Sequence, residues 1–550
     1  MNPHASTKRA GRVLMALAAM SSILLIAGCG SNSSSTPPPN QSGFSTSSLN
    51  GTYVISISGT DVNVTTSTPE VVPFALVGTI VANGGGGIKG GTVDISDPGN
   101  TGLSIGQTVS SSSSYTVGPD GRGTATVVTQ VATFDFDFVL TSTGNGLISR
   151  FDDSATDVGA GSGTLDLQSA ATSLTGSYAF SLSGFDSSGN PMGTVGAFTI
   201  GSSGIAGTED FNEDGTSGAG FADLPLTGQA TLGTSGTSGT AQFTTSFATL
   251  GLDIWVIDAA HLKFIETDSA GPFLSGDAYT QVTSLAAGQL VFALSGTDGA
   301  GNPVVAGGYA TTDANGNLSN GFEDYNDSGT VTLSKPFSTS SASCATSTGR
   351  CQLALNGFSN GAAQAFTFAV YPSGGGGLAL EIDSFGLLQG ASYSQSATSF
   401  TTSGGYGFNL TGENSDGEVD DIAEFDVSGT ASPATNMSGT LDENTLGTDL
   451  VSVGLDATYT PDGNGDGRGL ITAPTIGTLG TDVGELNLAY YVVNSSTAVF
   501  IDVDSTTLDA GQTGIGTFQA QSSSASAAVA HRAVFMARPP VRSRAVWRHK

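Results

Sequence analysis

Charge is scarce in this chain. Asp, Glu, Lys and Arg together make up 11% of 550 residues, against about a quarter in ordinary globular proteins. That excludes coiled coils and helical bundles, whose solvent faces are built from Glu and Lys. Positive charge is scarcest, with 16 Lys and Arg against 47 Asp and Glu. Lys8, Arg9 and Arg12 precede residue 30, and Arg532, Arg538, Arg542, Arg544, Arg548 and Lys550 follow residue 521. Between them stand Lys89, Arg122, Arg150, Lys263, Lys335, Arg350 and Arg468 against every acidic residue of the chain. A segment of that sign cannot neutralise phosphates, so nucleic acid is excluded as its partner. Histidine is nearly missing too: His4 lies in the leader, His531 and His549 in the tail, and His261 alone in the middle, where it reads as an exposed turn residue. A Ser-His-Asp triad or a multi-histidine zinc site has too few histidines to draw on. After the leader, no apolar run reaches the ~18 residues of a spanning helix.

What is present is glycine (79 residues), phenylalanine (28) and a hydrophobic content of 38%. That is too apolar for a disordered chain and too rich in turn formers for helices, which leaves an all-β protein.

The first residues read as an export signal, with a basic start and an apolar run from Val13 to Ala27 ending in Ile26, Ala27, Gly28 and Cys29. This resembles the lipobox of bacterial lipoproteins, in which the Cys is thioether-linked to diacylglycerol and becomes the new N-terminus. The resemblance implies a signal peptide over 1–28, lipidation of Cys29 with several acyl chains, palmitate among them, and permanent membrane anchoring at ~0.8 kcal/mol per buried CH₂. Gly30 stands where enterobacterial lipoproteins held in the inner membrane have Asp, so the expected address is the outer membrane. A Ser/Pro-rich tether follows over 29–48, with Pro37, Pro38 and Pro39 in a background that cannot build a core.

Three sequence blocks then recur four times in the same order. The first is an alternating strand: Gly51, Tyr53, Ile55, Ile57 and Gly59; Gly176, Tyr178, Phe180, Leu182 and Gly184; Gly288, Leu290, Phe292, Leu294 and Gly296; Gly404, Tyr406, Phe408, Leu410 and Gly412. The second has an Asp, an Asn or Ser two residues on, and a Gly three further: Asp94, Ser96 and Gly99; Asp210, Asn212 and Gly215; Asp324, Asn326 and Gly329; Asp442, Asn444 and Gly447. The third runs from Gly163 to Gln168, Gly276 to Gln281, Gly390 to Gln395 and Gly516 to Gln521. The repeats span 49–169, 172–283, 285–397 and 401–521, and a basic tail covers 522–550. In repeat two, period-2 patterning between turn clusters predicts strands near 176–184, 193–200, 204–211, 224–232, 239–246, 251–258, 261–267 and 274–281. Eight sequential antiparallel strands have two edges to hide, and pairing the last with the first removes both. The predicted fold is four tandem up-and-down β-barrels of lipocalin or avidin-like size, with a β-sandwich as the alternative.

The repeats resemble uncharacterised exported lipoproteins of acidobacterial type, whose Gly/Ser/Thr-rich units open with a G-x-Y-x-F-x-x-x-G strand and carry a D-G-R-G hairpin. That hairpin stands here at Asp120 to Gly123 and at Asp466 to Gly469, is degraded at Thr348 to Cys351, and is lost at Thr237 to Gly239. The resemblance implies no activity.

Candidate chemistry is sparse. Asp210, Asn212 and Asp214, and Asp462, Asn464 and Asp466, match the first half of a calcium loop, although Phe221 and Ala473 stand where the bidentate Glu belongs; the same residues also suit an ordinary β-turn. Glu266 with Asp268, Glu381 with Asp383 and Asp502 with Asp504 are carboxylate pairs at one repeated position, matched in repeat one by Arg150 and Asp152. Their place at a strand end suggests turn capping or solvation over acid-base chemistry. Arg122, Arg350 and Arg468 read as hairpin residues bonding carbonyls or a nearby carboxylate. Gly357 to Gly361 has the form of a nucleophile elbow without its strand-turn-helix context. With Cys29 lipidated, Cys344 and Cys351 flank a short hairpin and are expected to form a disulfide in an oxidising envelope.

The reading is a membrane-anchored, non-enzymatic lipoprotein that binds a glycan or protein at the surface or serves structurally in the periplasm. It needs no cofactor, calcium apart. The alternatives are a lipocalin-like carrier of a small ligand, which Phe180, Leu182, Phe198, Trp255 and Phe264 would leave little room for, and a carbohydrate-active enzyme using paired carboxylates.

Overall fold

The computed structural model describes residues 43–524, apart from 64–69, 155–156, 172, 214–220, 314–315, 338–341, 346, 356–365, 415–416, 429–434, 447–448, 477–485 and 506–511. Cys29, the basic tail beyond 524 and the pentapeptide Gly357 to Gly361 lie outside the described residues. Apart from one 3-10 turn at Thr46–Ser48, every described element is a strand.

Repeat two shows how the alternation folds. Its strands are Gly176–Phe185, Pro191–Gly201, Gly204–Glu213, Phe221–Leu232, Ser238–Thr244, Thr249–Asp258, His261–Glu266 and Phe273–Thr280. They match the eight predicted runs to within a few residues. Each pairs antiparallel with the next, and the first pairs with the last, from Tyr178 opposite Thr280 to Phe185 opposite Phe273, closing a barrel. Repeat four closes likewise, Gly404–Asn414 on Thr513–Ala520. A two-sheet sandwich is thereby set aside.

Repeats one and three depart from full closure. Their first and last strands do pair, Asn50–Asn63 with Asp157–Leu167 and Gly288–Asp298 with Gly386–Ser394. The fourth strand, however, is described in two pieces: Gly102–Thr108 and Ser114–Val117 in repeat one, and in repeat three Thr330–Phe337 and Ala342–Cys344, between which 338–341 lie outside the described residues. The reason is visible in repeat two, where residues 221–228 of the fourth strand pair with the third strand and 227–232 with the fifth. The stagger that closes a barrel makes this strand change partners midway. In repeat one a Ser110 to Ser113 turn sits at that change of partner, and the sheet continues past it through Ile88 N donating to Ser113 O at 3.0 Å and Tyr115 N to Gly86 O at 2.8 Å.

The interiors are filled. In repeat two the rings of Phe180, Phe198 and Phe243 meet at centroid distances of 5.0 to 5.8 Å, and Phe264 joins them. Glycine makes this possible, because a β-carbon on Gly196 would lie 2.4 Å from the Phe180 ring. Much of the glycine in the composition thus answers the aromatic content of narrow barrels. Trp255 is a correction: its neighbours Ile254 and Val256 face inward, and Trp255 faces out, where it packs with Ile257, Ile265 and the Val54 and Val77 of repeat one.

The repeats pack on one another through such outward residues. The first two strands of each repeat lie against the sixth to eighth strands of the next, and those of repeat four lie against repeat one. Ala179, Val195 and Ala197 of repeat two meet Tyr371, Leu378 and Leu380 of repeat three; Val291, Ala293 and Val305 meet Tyr491, Val499 and Ile501 of repeat four. Ile422 of repeat four then meets Val139, Leu147 and Phe151 of repeat one. One patch fitting a different patch on the next unit is a heterologous contact, and here four rotations close it into a ring.

Candidate functional site

The recurring polar residues converge at the four joints of this ring. The Asp of the second block stands on the third strand of its repeat, facing out and buried. In repeat two, Asp210 accepts from Arg350 of repeat three through Nε (2.8 Å to Oδ2) and Nη2 (2.6 Å to Oδ1), and from the Tyr371 hydroxyl at 2.5 Å. Asp324 accepts from Arg468 of repeat four at 2.7 Å through both nitrogens, and from Tyr491. Asp442 is paired with Arg122 of repeat one. Burial opposes the Arg350 charge, but the Asp210 carboxylate outweighs it and holds the guanidinium pKa above its ordinary value. A two-pronged guanidinium-carboxylate pair is geometrically selective, and it fixes the register of one barrel on the next.

Each of these carboxylates also organises its own repeat. Opposite it the fourth strand carries a β-bulge whose second residue has positive φ, at Gly106, Asp223, Ser334 and Ser452. The N–H of that residue donates to the Asp: Gly106 to Asp94 at 2.7 Å, Asp223 to Asp210 at 2.8 Å, Ser334 to Asp324 at 2.7 Å and Ser452 to Asp442 at 2.5 Å. Bulges of this kind re-aim a strand edge and the groups on it.

Two amides complete the clasp. The Asn two residues after the Asp donates to main-chain carbonyls of the next repeat: Asn212 to Glu381 and Gly386, Asn326 to Asp502, Asp504 and Gln512, and Asn444 to Arg150 and Gly159. The Gln of the third block donates to the hairpin that precedes the next repeat's fifth strand: Gln168 to Thr237, Gln281 to Thr348, Gln395 to Asp466 and Gln521 to Asp120. The last of these, with Ser522 N donating to Thr141 O at 2.9 Å, joins the end of repeat four to repeat one.

The residues singled out for calcium are therefore engaged otherwise. Asp210 and Asn212 turn to repeat three, and Asp214 lies outside the described residues. Asp462 accepts from the backbone and side-chain nitrogens of Asn464 at 2.8 and 2.9 Å, and Asp466 from Arg468 N at 2.9 Å, as in Asx turns. Among the described residues no group of three or more His, Cys, Asp or Glu side chains gathers as metal ligands would. Cys344 and Cys351 are joined in a disulfide.

The carboxylate pairs lie at the end of the seventh strand, and the second acid of each caps the sixth. Asp152 accepts from Asp135 N, Asp268 from Gly251 N, Asp383 from Thr367 N and Asp504 from Asn487 N. The first acids are buried: burial and then Asp268 push Glu266 up to about 9, and burial pushes Glu381 well above the carboxylate range. In repeat one, Arg150 takes this place and ion-pairs with Asp61 and Asp152 at 2.8 and 2.5 Å. His261 is not an exposed turn residue; it opens the seventh strand, stacks on Tyr279 and meets Asp277 at 2.6 Å. Burial lowers its pKa against the opposing pull of Asp277.

No known family model matches this sequence, and no curated protein sequence does. Among solved structures, the chain is similar to transferrin-binding protein B. A point mutant of the Haemophilus parasuis vaccine antigen is 10% identical over 70% of this chain and 83% of that one, with a TM-score of 0.19. The isotype 1 protein of serogroup B Neisseria meningitidis is 12% identical over 69% and 84%, with a TM-score of 0.21. Scores of that size carry no argument about arrangement or function, which rest on this chain's own residues.

Proposed function

We propose that this protein is a lipid-anchored, non-enzymatic module of the bacterial outer membrane, in which a closed ring of four β-domains serves as a scaffold or as a binding surface for a glycan or protein. One observation carries the reading: the polar residues that recur in the repeats, where a repeated catalytic or metal site would have to lie, are engaged in holding repeat to repeat. The filled interior of repeat two weighs against carriage of a small ligand, and the capping role of Asp268 and Asp383 weighs against acid-base catalysis. The described end of the expected tether packs on repeat one, where Phe44 is buried in the core and Gly43 lies beside Ser523.

Replacing Cys29 with Ala tests the anchor. The variant is expected in the soluble fraction, and continued fractionation with the outer membrane would remove the lipoprotein reading. Hydrolysis of a glycan panel by the mature chain, lost in both Asp268→Asn and Asp383→Asn, would replace the non-enzymatic reading with the enzyme.

A further inference from the structure

Each joint receives the hairpin that precedes the next repeat's fifth strand, and the four hairpins are not built alike. In repeat two the arginine is missing: Ser238 stands at the place of Arg122, Arg350 and Arg468. At that joint the Trp255 indole N–H donates to Asp94 at 2.8 Å, Ser96 replaces the bridging Asn, and a cavity of about 20 Å³, lined by Ser58, Ser96, Ser183 and Ser275 among others, opens between repeats one and two. Repeats one and four share a second design. Their hairpins close through Gly118 N donating to Arg122 O at 2.7 Å and Asp462 N to Arg468 O at 3.1 Å. A carboxylate inside each turn accepts from the arginine's own N–H, Asp120 at 3.1 Å and Asp466 at 2.9 Å. That charge-assisted bond fixes the backbone from which the arginine side chain reaches the neighbouring repeat.

Repeat three lacks that carboxylate. Thr348 occupies the place of Asp120 and Asp466, and its hydroxyl accepts from Arg350 N at 3.4 Å, longer than an ordinary bond of that kind. The strand leading into the hairpin is short as well: Ala342–Cys344 pairs with Cys351–Leu355 over three residues, where Asp449–Pro461 of repeat four pairs with Arg468–Ile476 from Leu455 to Pro461. Besides Ala345 N donating to Arg350 O at 2.8 Å, what closes this hairpin is the disulfide between Cys344 and Cys351, which stand opposite one another in the ladder. Yet the hairpin carries a full share of its joint. Arg350 reaches both oxygens of Asp210, and Thr348 O accepts from Gln281 Nε2 at 2.6 Å.

We propose that the disulfide between Cys344 and Cys351 is a reducible latch on the joint between repeats two and three, opened by a dithiol reductant, while the other three joints stay closed. Cys344 is half-buried and Cys351 wholly buried, so a thiolate of the dithiol attacks Cys344 Sγ. The bond between the two Sγ atoms breaks, Cys351 leaves as a thiolate and takes up a proton, and the reductant's second thiol displaces Cys344 from the mixed disulfide. Two electrons and two protons pass to the protein, and the reductant departs as a disulfide. The hairpin regains the conformational freedom that the cross-link removed, a modest gain because the sequence separation of the cysteines is 7. A two-pronged guanidinium contact tolerates little displacement, however. With Arg350 out of line, Asp210 is a buried charge without its cation, which favours parting of the repeats and entry of water. Opening bares Ala179, Val195 and Ala197 on repeat two and Tyr371, Leu378 and Leu380 on repeat three. Cys344 and Cys351 are the only cysteines after Cys29, so the other hairpins have nothing to reduce.

The main chain supplies one reporter per joint. The residue after the clasping Gln donates its N–H to the next repeat: Ser169 to Ile257 O at 2.6 Å, Val282 to Pro372 O at 3.1 Å, Ser396 to Val493 O at 2.8 Å and Ser522 to Thr141 O at 2.9 Å. Hydrogen exchange is measured on the folded full chain carrying Cys29→Ala, oxidised and after dithiothreitol. Reduction is expected to speed exchange at Val282 severalfold and to leave Ser169, Ser396 and Ser522 unchanged. The Cys344→Ser, Cys351→Ser double variant should show the fast Val282 amide without dithiothreitol and no further response to it. Thr348→Asp, which restores the Asp-Gly-Arg turn of repeats one and four, should remove most of the reductive acceleration. A disulfide that resists dithiothreitol in the folded chain, an unchanged Val282 amide, equal acceleration at all four joints, or an acceleration undiminished in Thr348→Asp would overturn the proposal.

Discussion

The joint between repeats two and three and the joint between repeats one and two are the same contact built with different chemistry. At the first, a buried carboxylate meets a guanidinium and a phenol, and an asparagine bridges two carbonyls. At the second, an indole meets the carboxylate, a serine stands where the asparagine would be, and a cavity remains. Both keep an apolar patch and the Gln clasp. The difference separates what makes the barrels adhere, which is the buried apolar surface, from what fixes their register, which is the arginine.

The comparison breaks most sharply if the arginine is removed. Arg350→Ala leaves Asp210 wholly buried without its cation, and losing one partner of such a pair costs about 3 to 5 kcal/mol. The corresponding change at the other joint, Ser238→Ala, should alter stability by less than about 0.5 kcal/mol. Urea unfolding of the full chain reads both, and equal effects would mean that register does not depend on the ion pair. Arg122→Ala should cost less than Arg350→Ala, because the Arg122 side chain is 18% exposed and that of Arg350 9%.

Next in size is Trp255→Phe. It keeps most of the ring contact with Val54, Val77 and Ile265 but withdraws the N–H from Asp94, and a hydrogen bond to a charged group is worth about 1.5 to 3 kcal/mol. Burial holds the Asp94 pKa above the ordinary carboxylate range and the indole N–H opposes this, so without the indole the carboxyl takes up a proton more readily and the loss should be smaller at pH 5 than at pH 7.5, where it must stay ionised. Equal losses at the two pH values would mean that the indole acts by packing alone.

Much of this architecture was legible in the sequence. Alternation placed all eight strands of repeat two, because a residue in a narrow barrel either faces a crowded interior or does not, and Phe180, Phe198 and Phe264 could only face inward. Alternation could not say what an outward residue meets. Size alone places Trp255 in the interior, although its neighbours Ile254 and Val256 claim that face. In the sequence Asp210 and Asn212 read as loop ligands or as β-turn residues, because the partners that engage them are about 140 to 175 residues away in a different repeat. One signal could have found the joints. The Asn is lost from repeat one, at Ser96, and the Arg is lost from repeat two, at Ser238. Two departures in neighbouring repeats make sense together if each block meets the next repeat's hairpin. The turn that interrupts the fourth strand of repeat one has no sequence signal of comparable strength, since a strand that changes partners looks the same whether or not it breaks.

A third change probes the amides. Asn444→Ala at the closing joint removes both donors to the carbonyls of Arg150 and Gly159, leaving two buried acceptors unpaired at about 1 to 3 kcal/mol. Asn212→Ala, which strips the joint between repeats two and three of its two bonds to Glu381 and Gly386, should match it. A large disparity would show that ring closure is weaker than the contacts between repeats adjacent in sequence.

The smallest expected effect has the opposite sign. Ser96→Asn installs at the deviant joint the amide that the other three possess, beside a cavity of about 20 Å³ that is already polar on several sides. If the new side chain reaches the carbonyls that Asn212, Asn326 and Asn444 reach at their joints, it replaces void or water with two hydrogen bonds, each worth on the order of 1 kcal/mol net, less the entropy of fixing the side chain. A gain of about 0.5 to 1 kcal/mol is expected, read as a higher urea midpoint with an unchanged slope. The gain should be the same at pH 5 and pH 7.5, because an amide does not titrate. A loss of stability would show that the cavity has a different shape from the Asn sites and that the serine is fitted to its own joint. A gain confined to pH 7.5 would show that the new amide acts on the ionised Asp94 carboxylate rather than on the carbonyls.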